Sequence, residues 1–303
     1  MKQKVALALG SGGARGLAHI GVIEELERQG FTISSISGCS MGALIAGFYA
    51  MGRLNEYTEW VCTLKKMDVY GLMDVTLSQN GLLKGERVFN KMKELIPDIL
   101  INEMNIPFAA VATDLISRKE MVFTSGSFYE AVRASIAIPV IITPYTTGDK
   151  VYVDGGLLNP VPVNHVKRIE GDLLVAVNLY AHKSTVPQDK KNRVPEKHKS
   201  IYQHKNMHVS SSIEYLQRRI QELISKSDKQ NQGYITLLHL TSSMMLTRIS
   251  NLLMELNKPD ILIDIPADTA GTFDFYKAAE LIETGRNIAR EVLDSFKRRN
   301  VNK

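Results

Sequence analysis

Ser40 is the residue of this sequence whose setting best suits nucleophilic chemistry. Glycines stand two positions before and two positions after it, at Gly38 and Gly42. The apolar, β-branched run over 31–36 predicts a buried strand before the serine, and the apolar run over 43–51 predicts a helix after it. At so sharp a corner the two glycines remove side chains that would collide, and the hydroxyl stands exposed before a helix N-terminus. The alternative is a turn that only lets strand and helix pack closely.

Asp154 is the second candidate for chemistry. It follows a short predicted strand over 150–153, which fixes its backbone. Gly155 and Gly156 follow it and have no side chains, so another group can approach the carboxylate closely. Asp-Gly is also a common turn dipeptide, and from these residues alone a plain β-turn stays equally open. A free carboxylate, with a pKa of about 4, is a weak base at neutral pH. A general base here would need hydrogen-bond contact with Ser40 and a dry site that raises its pKa.

A glycine-rich loop over 10–16 follows an apolar strand over 5–9 and precedes a helix over 17–29. Backbone N–H groups in such a loop point at an anion. A phosphate loop would need a lysine that is absent, and a dinucleotide fingerprint would need glycine where Arg15 stands. The remaining possibility is that the loop binds the oxyanion of an acyl-transfer intermediate. The serine turn on the next strand favours this possibility over a loop with a purely structural role. The amides that would hold the oxyanion are those of Gly12, Gly13 and Ala14.

The histidines are poorly placed for a histidine-based hydrolase, which needs an imidazole downstream of the serine. Six histidines follow Ser40, and four of them lie in one basic segment. The other two, His165 and His239, lie inside helix-like runs rather than at a strand end. His19, on the first helix, is expected to be a packed or surface residue. Asp154 is therefore the favoured base, and His165 is kept as the imidazole of an alternative triad.

Composition indicates a globular intracellular protein. The chain has 303 residues, 44% of them apolar and 23% charged, enough for one large α/β domain or two ordinary ones. Its two cysteines, Cys39 and Cys62, provide no disulfide framework or zinc-type spacing, and no metal-ligand cluster is present. The apolar run near the N-terminus is too short for a signal peptide, and no stretch is long enough to span a bilayer. We therefore expect a cytoplasmic protein.

The rest of the chain carries further strands and helices. Strands are predicted over 108–114, 119–124, 173–179 and 260–265. Helices are predicted over 87–96, 129–137, 236–257 and 275–299, and a further helix is predicted to open at Asn159-Pro160.

Three motifs stand in one order: the Gly12–Gly16 loop, Gly38-x-Ser40-x-Gly42, and Asp154-Gly155-Gly156 soon after Arg133–Pro139. Their order resembles that of the patatin-like phospholipases, specifically the short intracellular bacterial type, over about residues 4–181 and 233–290. The resemblance implies an α/β fold, a three-layer α/β/α sandwich with a mainly parallel central sheet. It implies a Ser-Asp dyad and an oxyanion hole, with no cofactor and no metal.

The resemblance also implies a role for particular residues of this chain. Ser40 is the nucleophile and Asp154 the base, and the oxyanion hole is formed by Gly12, Gly13 and Ala14, with Arg15 beside them. Ser11 stands where the family has its first loop glycine.

The activity that the resemblance implies is that of a serine acyl hydrolase, phospholipase A-like, which cleaves lipid acyl esters and has no nucleic-acid partner. Three alternatives stay open: a Ser-His-Asp carboxylesterase using His165, a lipid- or partner-binding regulator with a vestigial site, and a nucleotide-binding protein using the 10–16 loop.

A basic and amphipathic stretch over 182–232 resembles an insertion into a single domain. Seven basic and two acidic residues give the part over 183–205 a net charge of +5, equal to that of the whole chain. A run of charged residues is usually a solvated loop. The more specific hypothesis is that this segment is a lid that binds anionic lipid headgroups at the inner face of the membrane.

Overall fold

A computed structural model describes residues 2–76, 81–181 and 234–301 of the chain. The stretch over 182–232 lies outside the described residues. The prediction of one domain with an insertion there, and of membrane contact through 183–205, therefore stays a prediction.

The described strands form one mixed, eight-stranded sheet. In chain order they are β1 Lys4–Leu9, β2 Thr32–Cys39, β3 Phe108–Asp114, β4 Lys119–Phe123, β5 Tyr145–Thr147, β6 Lys150–Asp154, β7 Leu173–Ala181 and β8 Ile261–Pro266. Pairing follows the path β5-β6-β3-β2-β1-β7-β8, and β4 also pairs with β3. Strands β3, β2, β1, β7 and β8 run parallel, whereas β4 and β6 run antiparallel to β3. The mainly parallel sheet predicted from the resemblance is confirmed.

Helices cover both faces of this sheet. They are α1 Ala18–Arg28, α2 Met41–Ala50, α3 Leu54–Thr63, α4 Lys66–Leu72, α5 Glu86–Leu95, α6 Phe128–Ser135, α7 Tyr234–Asn257 and α8 Ala278–Val301. Among the helices of the described ranges, none is both long and apolar enough to cross a membrane.

The central strand β1 shows why three layers form. Its side chains alternate between the two faces, and all of them from Val5 to Leu9 are completely buried. Leu7 and its neighbours on one face pack in a core with residues of α1, α2 and α8. On the other face, Ala6 and Ala8 pack against the segment over 161–166 and against Met254 of α7. A strand that is buried on both faces has an uninterrupted apolar sequence, and this pattern is the one that predicted β1.

The helix predicted to open at Asn159 is wrong, because the chain from there to residue 170 is irregular. Pro160 and Pro162 lack the N–H groups that a helix would use. Instead the segment lies along β2, where the hydroxyls of Ser37 and Ser35 donate to the carbonyls of Pro162 and Lys167.

Candidate active site

Ser40 and Asp154 meet because two strands share one edge of β3. Strand β4 occupies the other edge of β3. On the shared edge, Val111 pairs with Cys39 at the end of β2, and the next residue, Ala112, pairs with Asp154 at the end of β6. Since β2 is parallel and β6 antiparallel to β3, the two strands run toward each other. The residue after β2 therefore faces the last residue of β6, although 114 positions separate them.

The two side chains form a hydrogen-bonded pair that is buried, whereas the turn at Ser40 predicted an exposed hydroxyl. Ser40 Oγ donates to Asp154 Oδ2 at 2.6 Å, and the residues are 3% and 7% exposed. The other carboxylate oxygen, Oδ1, accepts from the N–H of Gly156 at 2.8 Å and lies 3.7 Å from Cys39 Sγ. Burial raises the pKa of Asp154 to about 6, against the opposing effect of the hydrogen bonds from Ser40 and Gly156. The carboxylate is thus a stronger base than an ordinary aspartate, yet still ionised at neutral pH.

The thiol of Cys39 stays protonated beside this pair. Burial and the neighbouring Asp154 carboxylate raise the pKa of Cys39 well above its ordinary value. A protonated, buried thiol is a poor nucleophile. Its role is therefore that of a small side chain packed under the carboxylate.

The backbone at Ser40 is bent into a conformation that L-residues seldom adopt, with φ 56° and ψ −122°. Such a conformation costs of order 1–3 kcal/mol and needs its surroundings to hold it. The Ser40 N–H donates to Ser135 Oγ at 2.8 Å, and Ser135 Oγ donates to the carbonyl of Val111 at 2.6 Å. Sequence reasoning missed this completely buried serine, although it lies inside the Arg133–Pro139 run that supported the resemblance. Ser135 ties the turn to β3.

Steric crowding explains the two glycines around Ser40. A Cβ atom on Gly38 would lie 2.3 Å from the carbonyl oxygen of Gly42. One on Gly42 would lie 2.2 Å from the carbonyl oxygen of Leu9 in β1. Both obstacles are backbone atoms, which cannot rotate away, so the turn requires glycine at these positions.

Gly42→Ala is therefore expected to lower the free energy of unfolding by about 3 kcal/mol, because β1 and α2 must separate to admit the methyl group. The matched control is Gly71→Ala in α4, where an added Cβ would meet nothing within 4 Å. There the substitution should leave stability unchanged or raise it by up to about 1 kcal/mol. Urea denaturation of both variants measures the difference, and equal midpoints would contradict the packing described.

The glycine-rich loop is anchored on both sides. Three of its amides donate to neighbouring carbonyls: Gly10 to Val177 at 2.9 Å, Ser11 to Pro160 at 2.8 Å, and Ala14 to Thr272 at 2.9 Å. Ala14, expected among the oxyanion donors, thus has its N–H already committed to Thr272. For the N–H groups of Gly12 and Gly13, by contrast, the described part of the chain provides no acceptor. Those two amides are the loop donors that remain for an anion.

The Arg15 side chain braces the loop through hydrogen bonds to backbone carbonyls. Its Nε donates to the carbonyl of Gly12 at 3.1 Å, and its guanidinium also donates to the carbonyl of Ala267. The guanidinium carbon lies 5.7 Å from the ring centroid of Tyr180, whose hydroxyl is 2.7 Å from Ser11 Oγ. Ser11, in place of the family glycine, thereby links the loop to the end of β7.

His165, the imidazole of the alternative triad, bonds to other residues. Its Nε2 lies 2.5 Å from Glu120 Oε2 and 3.2 Å from Asn164 Nδ2. Ser40, by contrast, donates to Asp154. Within the described ranges, no three His, Cys, Asp or Glu side chains group in a way that could hold a metal ion.

The sequence of this chain is similar to those of known proteins. The family model for patatin-like phospholipase matches residues 7–167, more than half of the chain. An NTE family protein of Mycobacterium bovis is 30% identical over 336 residues, spanning 97% of this chain and 92% of that protein. A lysophospholipase of Yarrowia lipolytica is 27% identical over 195 residues, which is 62% of this chain and 13% of that protein. The crystal structure of VipD from Legionella pneumophila aligns over 97% of this chain and 67% of that one, with a TM-score of 0.42 and 15% identity. The family match and the near full-length relative show that the chain belongs to the patatin-like phospholipase family, a family of lipid hydrolases.

Proposed function

We propose that the protein is a serine acyl hydrolase that cleaves the acyl esters of lipids, with Ser40 as nucleophile and Asp154 as general base. The observation that carries the proposal is the 2.6 Å hydrogen bond between Ser40 Oγ and Asp154 Oδ2 at a sharp strand-to-helix turn. Family membership supports a lipid ester as the substrate class, as does the lysophospholipase among the relatives.

In the acylation step, Ser40 Oγ attacks the ester carbonyl carbon while Asp154 Oδ2 takes the hydroxyl proton. The negative charge that develops on the carbonyl oxygen meets the N–H groups of Gly12 and Gly13 and the positive end of α2. When the intermediate collapses, protonated Asp154 gives its proton to the leaving alcohol oxygen. The products of this step are an acyl-Ser40 ester and a free alcohol or lysolipid.

In the deacylation step, water attacks the acyl carbon and Asp154 accepts its proton. Collapse of the second intermediate releases the fatty acid, and the proton returns to Ser40 Oγ. One carboxylate can serve both steps because its pKa, raised to about 6 by burial, lies close to neutral pH. No proton carrier other than Asp154 is required.

Apolar side chains next to the pair support an acyl-chain substrate. Leu157 follows the Asp-Gly-Gly turn and is 40% exposed. On α7, Leu246 Cδ2 comes within 3.5 Å of where a Cβ of Gly156 would lie. Met244 and Met245, also on α7, are 72% and 60% exposed. Flexible methionines suit the irregular surface of an acyl chain.

Labelling with a fluorophosphonate tests the proposal, since this probe reacts with activated serines. We expect one adduct per chain, located by peptide mass spectrometry on Ser40, together with ester hydrolysis across a panel of phospholipids and lysophospholipids. An unlabelled, inactive wild-type protein would instead support a regulator with a vestigial site.

His165→Ala separates the dyad from the alternative triad. Because His165 bonds to Glu120 and Asn164, we expect the variant to keep kcat/KM within about threefold of wild type. Initial rates on the best ester of the panel provide the measurement. A loss of 10³-fold, the size expected for a catalytic imidazole, would favour the triad.

A further inference from the structure

We propose that His19 is a positioning residue for the oxyanion loop, and that it acts by holding the carbonyl of Gly10. The inference rests on the proposed function, because the loop it concerns is the one that would bind the oxyanion. Sequence reasoning assigned His19 no chemical role.

The hydrogen bonding of His19 defines its tautomer. The ring is completely buried on α1, and its Nε2 lies 2.7 Å from the carbonyl oxygen of Gly10. A carbonyl oxygen only accepts, so Nε2 carries the proton and Nδ1 carries the lone pair. No described residue bonds to the buried Nδ1. Burial also lowers the pKa of His19 to about 4, so the ring is neutral at physiological pH. The only proton that this ring can donate therefore goes to the loop.

The backbone from Gly10 to Ser11 is held at three points. The Gly10 N–H donates to Val177 of β7, and the Ser11 N–H donates to Pro160. His19 supplies the third point, from the helical layer on the opposite side. The next amide along the chain is that of Gly12, one of the two proposed oxyanion donors. The direction of that N–H depends on the orientation of the peptide that His19 holds.

In the described part of the chain, the Gly10 carbonyl in its present position has no donor other than His19. The carbonyl oxygen would lie 2.7 Å from a Cβ on Gly42, so it is pressed against the first turn of α2. A buried carbonyl that is left without a donor destabilises the conformation that buries it. Without the imidazole, the peptide is expected to rotate toward another donor and to carry the Gly12 N–H with it. A misplacement of about 1 Å can cost 10²-fold in rate.

Three variants test the role. His19→Leu keeps an apolar side chain in the cavity but removes the donor, and His19→Gln restores an N–H at similar reach. The matched control is Tyr129→Phe, which removes another buried bond from a side chain to a carbonyl, Tyr129 to Ile96 at 2.8 Å, outside the site.

The expected kinetic result is a split between kcat and KM. His19→Leu should lower kcat per folded molecule by about 10- to 100-fold with KM within about threefold of wild type. His19→Gln should recover most of that loss, and Tyr129→Phe should lose stability but not kcat. A His19→Leu protein with wild-type kcat would show that the ring only fills space and would overturn the proposal, as would a His19→Gln protein no faster than His19→Leu.

A measurement without substrate separates this proposal from the proposed function. Nitrogen-15 NMR of the wild type should show His19 as the Nε2–H tautomer from pH 5 to pH 8. The amide resonances of Gly12 and Gly13 should shift in His19→Leu and stay in place in Tyr129→Phe. An Nδ1–H tautomer, or loop amides that do not move, refutes the positioning role even in an active enzyme. The expected spectra uphold the positioning role even if no ester is hydrolysed, and the tautomer is observable should His19→Leu fail to fold.

Discussion

Ser40→Ala is expected to lower kcat for lipid ester hydrolysis by at least 10³-fold while the protein stays folded. The substitution removes the oxygen that would form the acyl-enzyme and leaves Asp154, the loop amides and α2 in place. Water held beside the Asp154 carboxylate could still react slowly, so a small residual rate is compatible with the account. The measurement is the initial rate of fatty acid release, with the far-ultraviolet circular dichroism of each protein recorded beside it.

The matched control for this variant is Ser34→Ala, on the same strand six residues earlier. The Ser34 hydroxyl donates to the carbonyl of Val5 at 3.1 Å and contacts no part of the proposed site. Its loss should cost about 1 kcal/mol of stability and leave kcat unchanged. A Ser40→Ala protein that keeps more than a few per cent of wild-type kcat would rule out Ser40 as the nucleophile.

Asp154→Asn should lower kcat by about 10²–10⁴-fold, because the amide matches the shape of the carboxylate but cannot accept a proton. The control is Asp114→Asn at the end of the neighbouring strand β3. Asp114 is similarly buried and accepts from Ile116 N–H and from the Ser117 hydroxyl, so its loss should affect stability only. Equal activities of the two variants would contradict the assignment of the base.

The pH dependence of the wild type follows from the same carboxylate. Its pKa is raised to about 6, and only the ionised form can accept the serine proton. Therefore kcat/KM should rise about tenfold per pH unit below pH 6 and level off above it. A profile that stays flat from pH 4.5 to pH 8 would mean that the base is another group.

The stability of the fold should respond to pH in the opposite direction. The pKa of Asp154 is near 4 in the unfolded chain and about 6 in the fold, so between these values the folded protein binds more protons. Its contribution to the free energy of unfolding therefore falls as pH rises from about 4 to 6, by about 3 kcal/mol, and stays low above that. Asp154→Asn removes this dependence. Relative to wild type, the variant should gain stability between pH 4 and pH 7 in urea titrations.

Local patterns predicted the parts of the fold that depend on neighbours in sequence. The fully buried strand β1 reads as an unbroken apolar run, and the glycines around Ser40 mark a turn where backbones touch. The meeting of Ser40 with Asp154 could not be read from the residues alone. It depends on β2 and β6 sharing an edge of β3, and strand pairing over such distances leaves no local signal. The family resemblance supplied that expectation.

Other features of the site were missed for the same physical reason. Ser135 bonds to an amide 95 positions away, and the Ala14 amide bonds to Thr272 in the segment after β8. In the sequence, nothing distinguishes His19 from an ordinary helix residue. Its role becomes visible only in the structure, where its ring bonds to the carbonyl of Gly10. The Asn159-Pro160 pair is typical of a helix start, yet the segment after it is irregular. Hydrogen bonds that no local sequence pattern predicts decide all four cases.

The most direct test of the central claim is to trap the acyl-enzyme. Wild-type protein mixed with a lysophospholipid or an activated fatty acyl ester is quenched in acid within the first turnover, digested and mapped by mass spectrometry. The account predicts an increase of one acyl group on the peptide that contains Ser40, and no such adduct in Ser40→Ala. An acyl group on another residue, or rapid product release with no covalent adduct in the first turnover, would contradict it.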